Sequence, residues 1–156
     1  MVQFKQKQVG CAEALDLPKP ECGARKIVLV AAAALIDRDG RLLISQRPEG
    51  KHLAGRWEFP GGKVDQNETP EFALMRELEE ELGVETRPCC FSPVAFTSHG
   101  YEDFHLLMPL FVCRVWRGTA KGLEGQALKW IWPKDIYNYE MPPADLPLIE
   151  PLLNAV

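Results

Sequence analysis

GKVDQNETPEFALMRELEEELGV, residues 62–84, passes from a turn into a helix. Asn67, Glu68 and Thr69 are polar and turn-prone, Thr69 has the chemistry of an N-cap, Pro70 suits the first helical position and Gly83 supplies the stop. Leu74, Leu78 and Leu82 recur every fourth residue and make one apolar stripe, while Glu77, Glu80 and Glu81 fall together on another face. A run of charge is usually a solvated face. Here, though, like charges three and four apart repel by roughly 0.2–0.5 kcal/mol per pair, and only Arg76 is close enough in sequence to offset them. A divalent cation would remove the penalty, and clustered carboxylate oxygens are what hard ions such as Mg²⁺ or Mn²⁺ select.

The wider spacing is Gly62, five residues, Glu68, seven residues, Arg76-Glu77-Leu78, one residue, Glu80-Glu81, one residue, Gly83-Val84. This pattern resembles the Nudix box, the signature of hydrolases that cleave a nucleoside diphosphate linked to another group, and every fixed position is matched. The resemblance implies a loop-helix-loop in which Glu77, Glu80 and Glu81 bind catalytic Mg²⁺, with Mn²⁺ as a substitute and the Gly61 carbonyl as a further ligand. It also implies that Arg76 orients a glutamate and that Glu68 braces the loop against the helix. Cleaving a pyrophosphate requires charge neutralisation on the phosphates and an activated water, and metals held by such a helix supply both.

Composition bounds the rest. The 156 residues, 46% hydrophobic and 26% charged, are enough for one packed domain and too few for two. Five cysteines without paired C-x-x-C sets, two of them adjacent at Cys89-Cys90, argue against a zinc site or a disulfide framework. Reduced thiols in the cytoplasm are the expectation. The longest apolar run, Ile27 to Ile36, falls short of the roughly 18 residues of a membrane span, and no secretory leader precedes it. A net charge of −4 argues against a groove for a nucleic-acid polymer, yet suits a small nucleotide delivered with its cation. A monomer acting on a small molecule is expected.

Along the chain, residues 1–25 carry Pro18, Pro20 and little periodicity and read as an irregular arm ahead of a domain over residues 26–156. Lys26 to Ile36 reads as a buried strand, although its alanines also suit a helix; Asp37 to Gly40 turns it, and Arg41 to Gln46 is expected to pair with it as a hairpin. A polar loop follows to Gly55, then Trp57-Glu58-Phe59 and Pro60-Gly61-Gly62, where successive glycines let backbone approach a ligand. Gly62-Lys63 is not a phosphate-binding P-loop, because Trp57 and Val64 stand where that motif needs Gly and Ser or Thr. Two strands are expected at residues 88–97 and 105–116, the second placed at an edge or bulge by Pro109. Residues 118–126 form a loop, 128–132 a short strand and 147–153 a terminal helix. The order fits an α+β fold, a mixed β-sheet between helices in an α/β/α sandwich, which is also the Nudix fold.

Within that family the resemblance is to MutT-type 8-oxo-dGTP diphosphatases. It covers about residues 28–153 and rests on LLISQRPEGKHLAGRWEFPGGKV before the box, on Glu124-Gly125-Gln126, and on MPPADLPLI near the end. It implies Arg47 beside the base or sugar, Glu58 and Phe59 at the nucleoside pocket and Lys63 on phosphate. Glu124 becomes a further metal ligand or the residue that positions water. The implied reaction is attack at the β-phosphorus of a nucleoside triphosphate, releasing a monophosphate and pyrophosphate; which carboxylate serves as base stays open between Glu77, Glu80 and Glu124.

One departure stands out: Asp145 occupies the place where the bacterial pattern often has asparagine. Guanine oxidised at carbon 8 carries a proton on N7, which either side chain can accept, but only an amide or a protonated carboxyl can also donate to O6. Asp145 is therefore expected to read the purine edge, the neutral carboxyl being the form that can both accept and donate there. The same box also admits a hydrolase of ADP-ribose, a dinucleoside polyphosphate or a nucleotide sugar. A non-catalytic Nudix-like module is a third reading, but such modules commonly lose the acids this chain keeps. His52, His99 and His105 lack ligand spacing and read as structural.

Overall fold

A computed structural model describes residues 11–19, 21, 23 and 25–156. The rest of the expected arm lies outside the described residues; within them, Cys11–Ala14 forms a single helical turn, α1, followed by the exposed Leu15 and Leu17. The long alanine-rich segment is the strand β1 (Lys26–Leu35), followed by β2 (Leu42–Gln46), β3 (Trp57–Glu58), β4 (Gly61–Lys63), the helix α2 (Pro70–Leu82), β5 (Phe91–Gly100), β6 (Phe104–Cys113), β7 (Leu128–Ile131) and the helix α3 (Leu146–Ala155). Strands order as β4-β1-β6-β5 in a mixed sheet, with β1 and β6 parallel, and as β3-β2-β7 in an antiparallel one.

β1 is covered on both sides, and its alternate residues divide between two cores. Ala31, Ala33 and Leu35 meet Leu74, Leu78 and Leu82 of α2, together with Phe111 and Cys113. Ala32 and Ala34 face the other way, into a core with Leu106, Met108, Leu110, Ile44 and α3 residues Leu148, Ile149 and Leu152. Each leucine so buried contributes about 1.5–3 kcal/mol. The expected helix stripe is thus the face that docks α2 on the sheet, and its ends are as read. Thr69 Oγ1 accepts from Phe72 N at 3.3 Å, Pro70 opens the helix, and Gly83 closes it at φ 68°, where a side chain would be strained.

Two expectations are corrected and a third is narrowed. β1 and β2 do not form a hairpin: beyond one bridge, Ile36 to Leu42, they part into different sheets. The turn between them is tight, with Asp37 Oδ1 accepting from Asp39 N and Arg41 N, but β1 already has β4 and β6 on its two edges. Of the two readings of Pro109, the edge is excluded, since β6 lies between β1 and β5, and the bulge is borne out. The strand tolerates it through irregularity on both sides: the ladder to β1 skips Val30 and Ala31, and β5 bulges between Pro93 and Ala95. Finally, residues 88–90 form a 3₁₀ turn, because Pro88 starts a helical turn more readily than it joins a sheet, so β5 begins at Phe91. Among the described residues no helix is long and apolar enough to cross a membrane.

Candidate active site

The backbone at Gly61 and Gly62 threads a gap that side chains would fill. A Cβ on Gly61 would lie 2.0 Å from the Ala31 carbonyl oxygen, and one on Gly62 would lie 2.3 Å from Glu77 Cδ. β4 is thereby pressed against β1 on one side and against the Glu77 carboxyl on the other. Arg76 holds that carboxyl in place: its NH1 donates to Glu77 Oε1 at 2.7 Å, while Nε and NH2 reach Glu68 Oε1 and Oε2 at 3.0 and 2.8 Å. The guanidinium also donates to Lys63 O at 3.1 Å, and Glu68 Oε2 accepts from Asp65 N at 2.9 Å. Arg76 thus ties the loop 63–68 to the helix, and among the described residues no hydrogen bond engages Glu77 Oε2. Hydrogen bonds from Arg76 and from the Asp65 backbone hold Glu68 down at about 2.

The far end of α2 recruits a second acid. Its last carbonyls lack intrahelical partners, and the loop between β6 and β7 supplies them: Leu123 N and Gln126 Nε2 donate to Glu81 O at 2.9 and 3.0 Å, and Lys121 N donates to Leu82 O at 3.0 Å. Gln126 Oε1 in turn accepts from Glu124 N at 2.9 Å. Glu124 is so brought within electrostatic reach of Glu81, whose carboxyl is pushed up to about 8 by burial and then by Glu124, Glu77 and Glu58.

A cleft of about 620 Å³ opens beside these groups, within the range of small-molecule sites. Gly61, Gly62, Lys63, Glu77 and Glu81 line it, as do Arg47, Glu58, Phe59 and Asp145. Glu80 and Glu124 are not among its lining residues; their side chains are 61% and 48% exposed. Glu68 lies behind the helix on Arg76. Arg47 NH1 pairs with Glu58 Oε2 at 2.5 Å, yet burial outweighs that partner and raises the Glu58 carboxyl. Asp145 is buried with Phe59 N as its donor at 3.4 Å; burial, then the charge of Glu58, raises it to about 7. The Asp145 end of the cleft thus offers a carboxyl that gains and loses a proton near neutrality, among apolar walls.

Sequence reasoning missed much of those walls. Val28, Val30, Leu106 and Met108 line the cleft from alternate positions of β1 and β6, and Tyr101 and Phe104 stack at 4.9 Å beside them. His52, read as structural, meets Tyr101 edge-on at 5.8 Å and lines the cleft as well. The period-two alternation that would have exposed these walls is masked, because strands buried on both faces are apolar throughout.

The donor chemistry fits a hard divalent cation. Carboxylates of Glu77, Glu81 and Glu124 come from two elements, and burial first, then the charges of Glu124 and Glu77, raise Glu81. Gly61 and Gly62 bring backbone to the same wall, where a carbonyl oxygen is the donor a hard cation takes. Among the described residues, no three His, Cys, Asp or Glu groups already converge as a closed cage, so the exposed side chains of Glu80 and Glu124 would have to turn inward to complete one.

A family model described as NUDIX domain matches residues 31–151. The CTP pyrophosphohydrolase of Escherichia coli is 40% identical over 125 residues, 79% of this chain and 90% of the relative. The 8-oxo-dGTP diphosphatase of Haemophilus influenzae is 39% identical over 137 residues, 83% of this chain and 94% of the relative. Among solved structures, the E. coli ORF135 protein in solution is similar with a TM-score of 0.74 at 36% identity, covering 86% of this chain and 94% of that one. A MutT structure from work on Aliivibrio salmonicida and Vibrio cholerae gives 0.69 at 31% identity, covering 84% and 100%.

Proposed function

Because this chain belongs to the NUDIX domain family, we propose that it is a divalent-cation-dependent nucleoside triphosphate pyrophosphohydrolase with 8-oxo-dGTP as its substrate. The observation that carries this reading is the cleft itself, lined by Arg47, Phe59 and buried Asp145 and also by Gly61, Glu77 and Glu81 of the box. A base and sugar fit among the first set while the phosphates lie along the second. Glu77, Glu80, Glu81 and Glu124, with the Gly61 carbonyl, would hold Mg²⁺, or Mn²⁺ in its place. A cation held there neutralises phosphate charge and acidifies the attacking water.

The chain's own groups do the rest. Arg76 keeps one Glu77 oxygen occupied and so fixes the position of the carboxyl. Lys63, at the cleft wall, adds positive charge beside the phosphates. Glu77, Glu80 and Glu124 are the candidates to take the proton of the water as it attacks the β-phosphorus. The bond from the β-phosphorus to the oxygen bridging it to the α-phosphorus then breaks; the monophosphate keeps the bridging oxygen, and pyrophosphate leaves with the oxygen of water. In this reading the catalytic unit spans residues 26–156 and works as a cytoplasmic monomer without a membrane partner, and the net charge of −4 supports the further part of it, that no nucleic-acid polymer is bound.

Asp145 supports a second reading of the base. A carboxylate accepts from the exocyclic amine of cytosine, the pairing acidic side chains make with that base, and one relative is named for CTP. Steady-state kinetics on 8-oxo-dGTP, dGTP and CTP, with Mg²⁺ supplied and then chelated, separates the two. The proposed activity requires 8-oxo-dGTP to lead in kcat/KM and hydrolysis to stop on chelation. In Asp145→Ala the selectivity between bases should collapse; unchanged selectivity would remove Asp145 from base reading.

A further inference from the structure

Lys51 lies outside the acidic box, yet it lines the same cleft as Arg47, Glu58 and Glu81. Its Nζ stands 3.8 Å from Glu124 Oε2, with the two side chains 55% and 48% exposed. At that distance and exposure the pair is loosely held, and either group exchanges partners readily. The same ammonium is a minor opposing influence on Glu58 and Glu81, which burial raises, so it sits within electrostatic reach of acids from β3, α2 and the loop before β7. Its backbone is well anchored. Arg47 Nε donates to His52 O at 2.8 Å, Gly55 N to Arg47 O at 2.9 Å and Ala54 N to Lys51 O at 3.1 Å. A fixed backbone under a flexible four-carbon stem lets the charge swing while its origin stays put.

The cleft has two successive electrostatic needs. Without a ligand, its carboxylates repel one another and a nearby ammonium relieves them. Once divalent cations claim Glu124, Lys51 loses that partner, and its side chain at the cleft wall is released toward the phosphates of a nucleotide bound there. We propose that Lys51 is a tethered counter-charge and positioning residue, neutralising Glu124 until a divalent cation takes that carboxylate and then turning onto the phosphate chain. This inference rests on the reading of the cleft as a nucleotide-hydrolysing site.

The test compares the full chain with Lys51→Met and Lys51→Arg in three measurements: Mn²⁺ binding by electron paramagnetic resonance without nucleotide, inhibition by inorganic pyrophosphate, and steady-state kinetics. Lys51→Met should bind Mn²⁺ about fivefold more tightly, because a competing cation has gone. Pyrophosphate should inhibit it about fivefold less, and KM should rise by a similar factor while kcat stays within about twofold. Lys51→Arg should restore all three, which a purely structural loop residue would not require. Unchanged Mn²⁺ affinity in Lys51→Met overturns the counter-charge role, and unchanged pyrophosphate inhibition and KM overturn the phosphate role; either result defeats the proposal. If the unaltered chain binds no Mn²⁺ or hydrolyses no nucleotide, the reading of the cleft fails first and the proposal falls with it.

Discussion

Glu80 and Asp145 are opposite kinds of acid, and they predict opposite kinds of variant. Glu80 is 61% exposed and, among the described residues, its one ion-pair contact, to Arg76, is long at 3.8 Å. It contributes little to folding and is free to serve a cation. Glu80→Gln should therefore cut kcat by about 10²-fold or more while leaving the urea midpoint nearly unchanged. A matching loss of stability would mean that the residue is structural. Asp145 is buried, and its carboxyl is raised from the usual 3.8 to about 7. Between those two values the folded chain binds a proton that the unfolded chain does not, so stability falls as pH rises through the window. Asp145→Asn removes that penalty. Its Tm should exceed that of the parent by about 5 °C at pH 8, with the difference closing near pH 4, as followed by thermal melts across pH.

At the scale of single elements, α2 has its boundaries written into local chemistry. Thr69→Ala deletes the oxygen that accepts from Phe72 N, and should cost about 1 kcal/mol in urea unfolding. That helix was legible because cap, first-turn proline, leucine stripe and terminal glycine all lie within one short segment. The strands were less so. β1 was found from its apolar run, but its partners were not. The turn at Asp37 looks like a hairpin from sequence, whereas β4 and β6, which occupy the two edges of β1, are distant in the chain. β3 and β4 have two and three residues, too few to show an alternation. Pro109 reads from sequence as an edge or a bulge, and only topology separates the two, because a missing N–H is local information whereas the position of a strand in a sheet is not.

Across the whole molecule, the same division separates what could be read of the site from what could not. The acids of the box sit at fixed spacing on one helix, and so they announce themselves. The cleft beside them draws on residues from Lys26 to Asp145, gathered by topology, and its walls carry no pattern of their own. Sheet and helix meet where Gly62 leaves a space and the Glu77 carboxyl fills it, 2.3 Å from where a methyl would sit. Gly62→Ala should displace that carboxyl and lower kcat by about 10²-fold. Adding Glu77→Asp, which draws the carboxyl back by one methylene, should recover part of that loss, whereas Glu77→Asp alone should impair a chain that has the glycine. A double-mutant cycle in kcat would expose the coupling, and strict additivity would refute it. The two positions therefore form one heritable unit: a lineage drifting at either site must cross a valley of poor fitness before the other can compensate.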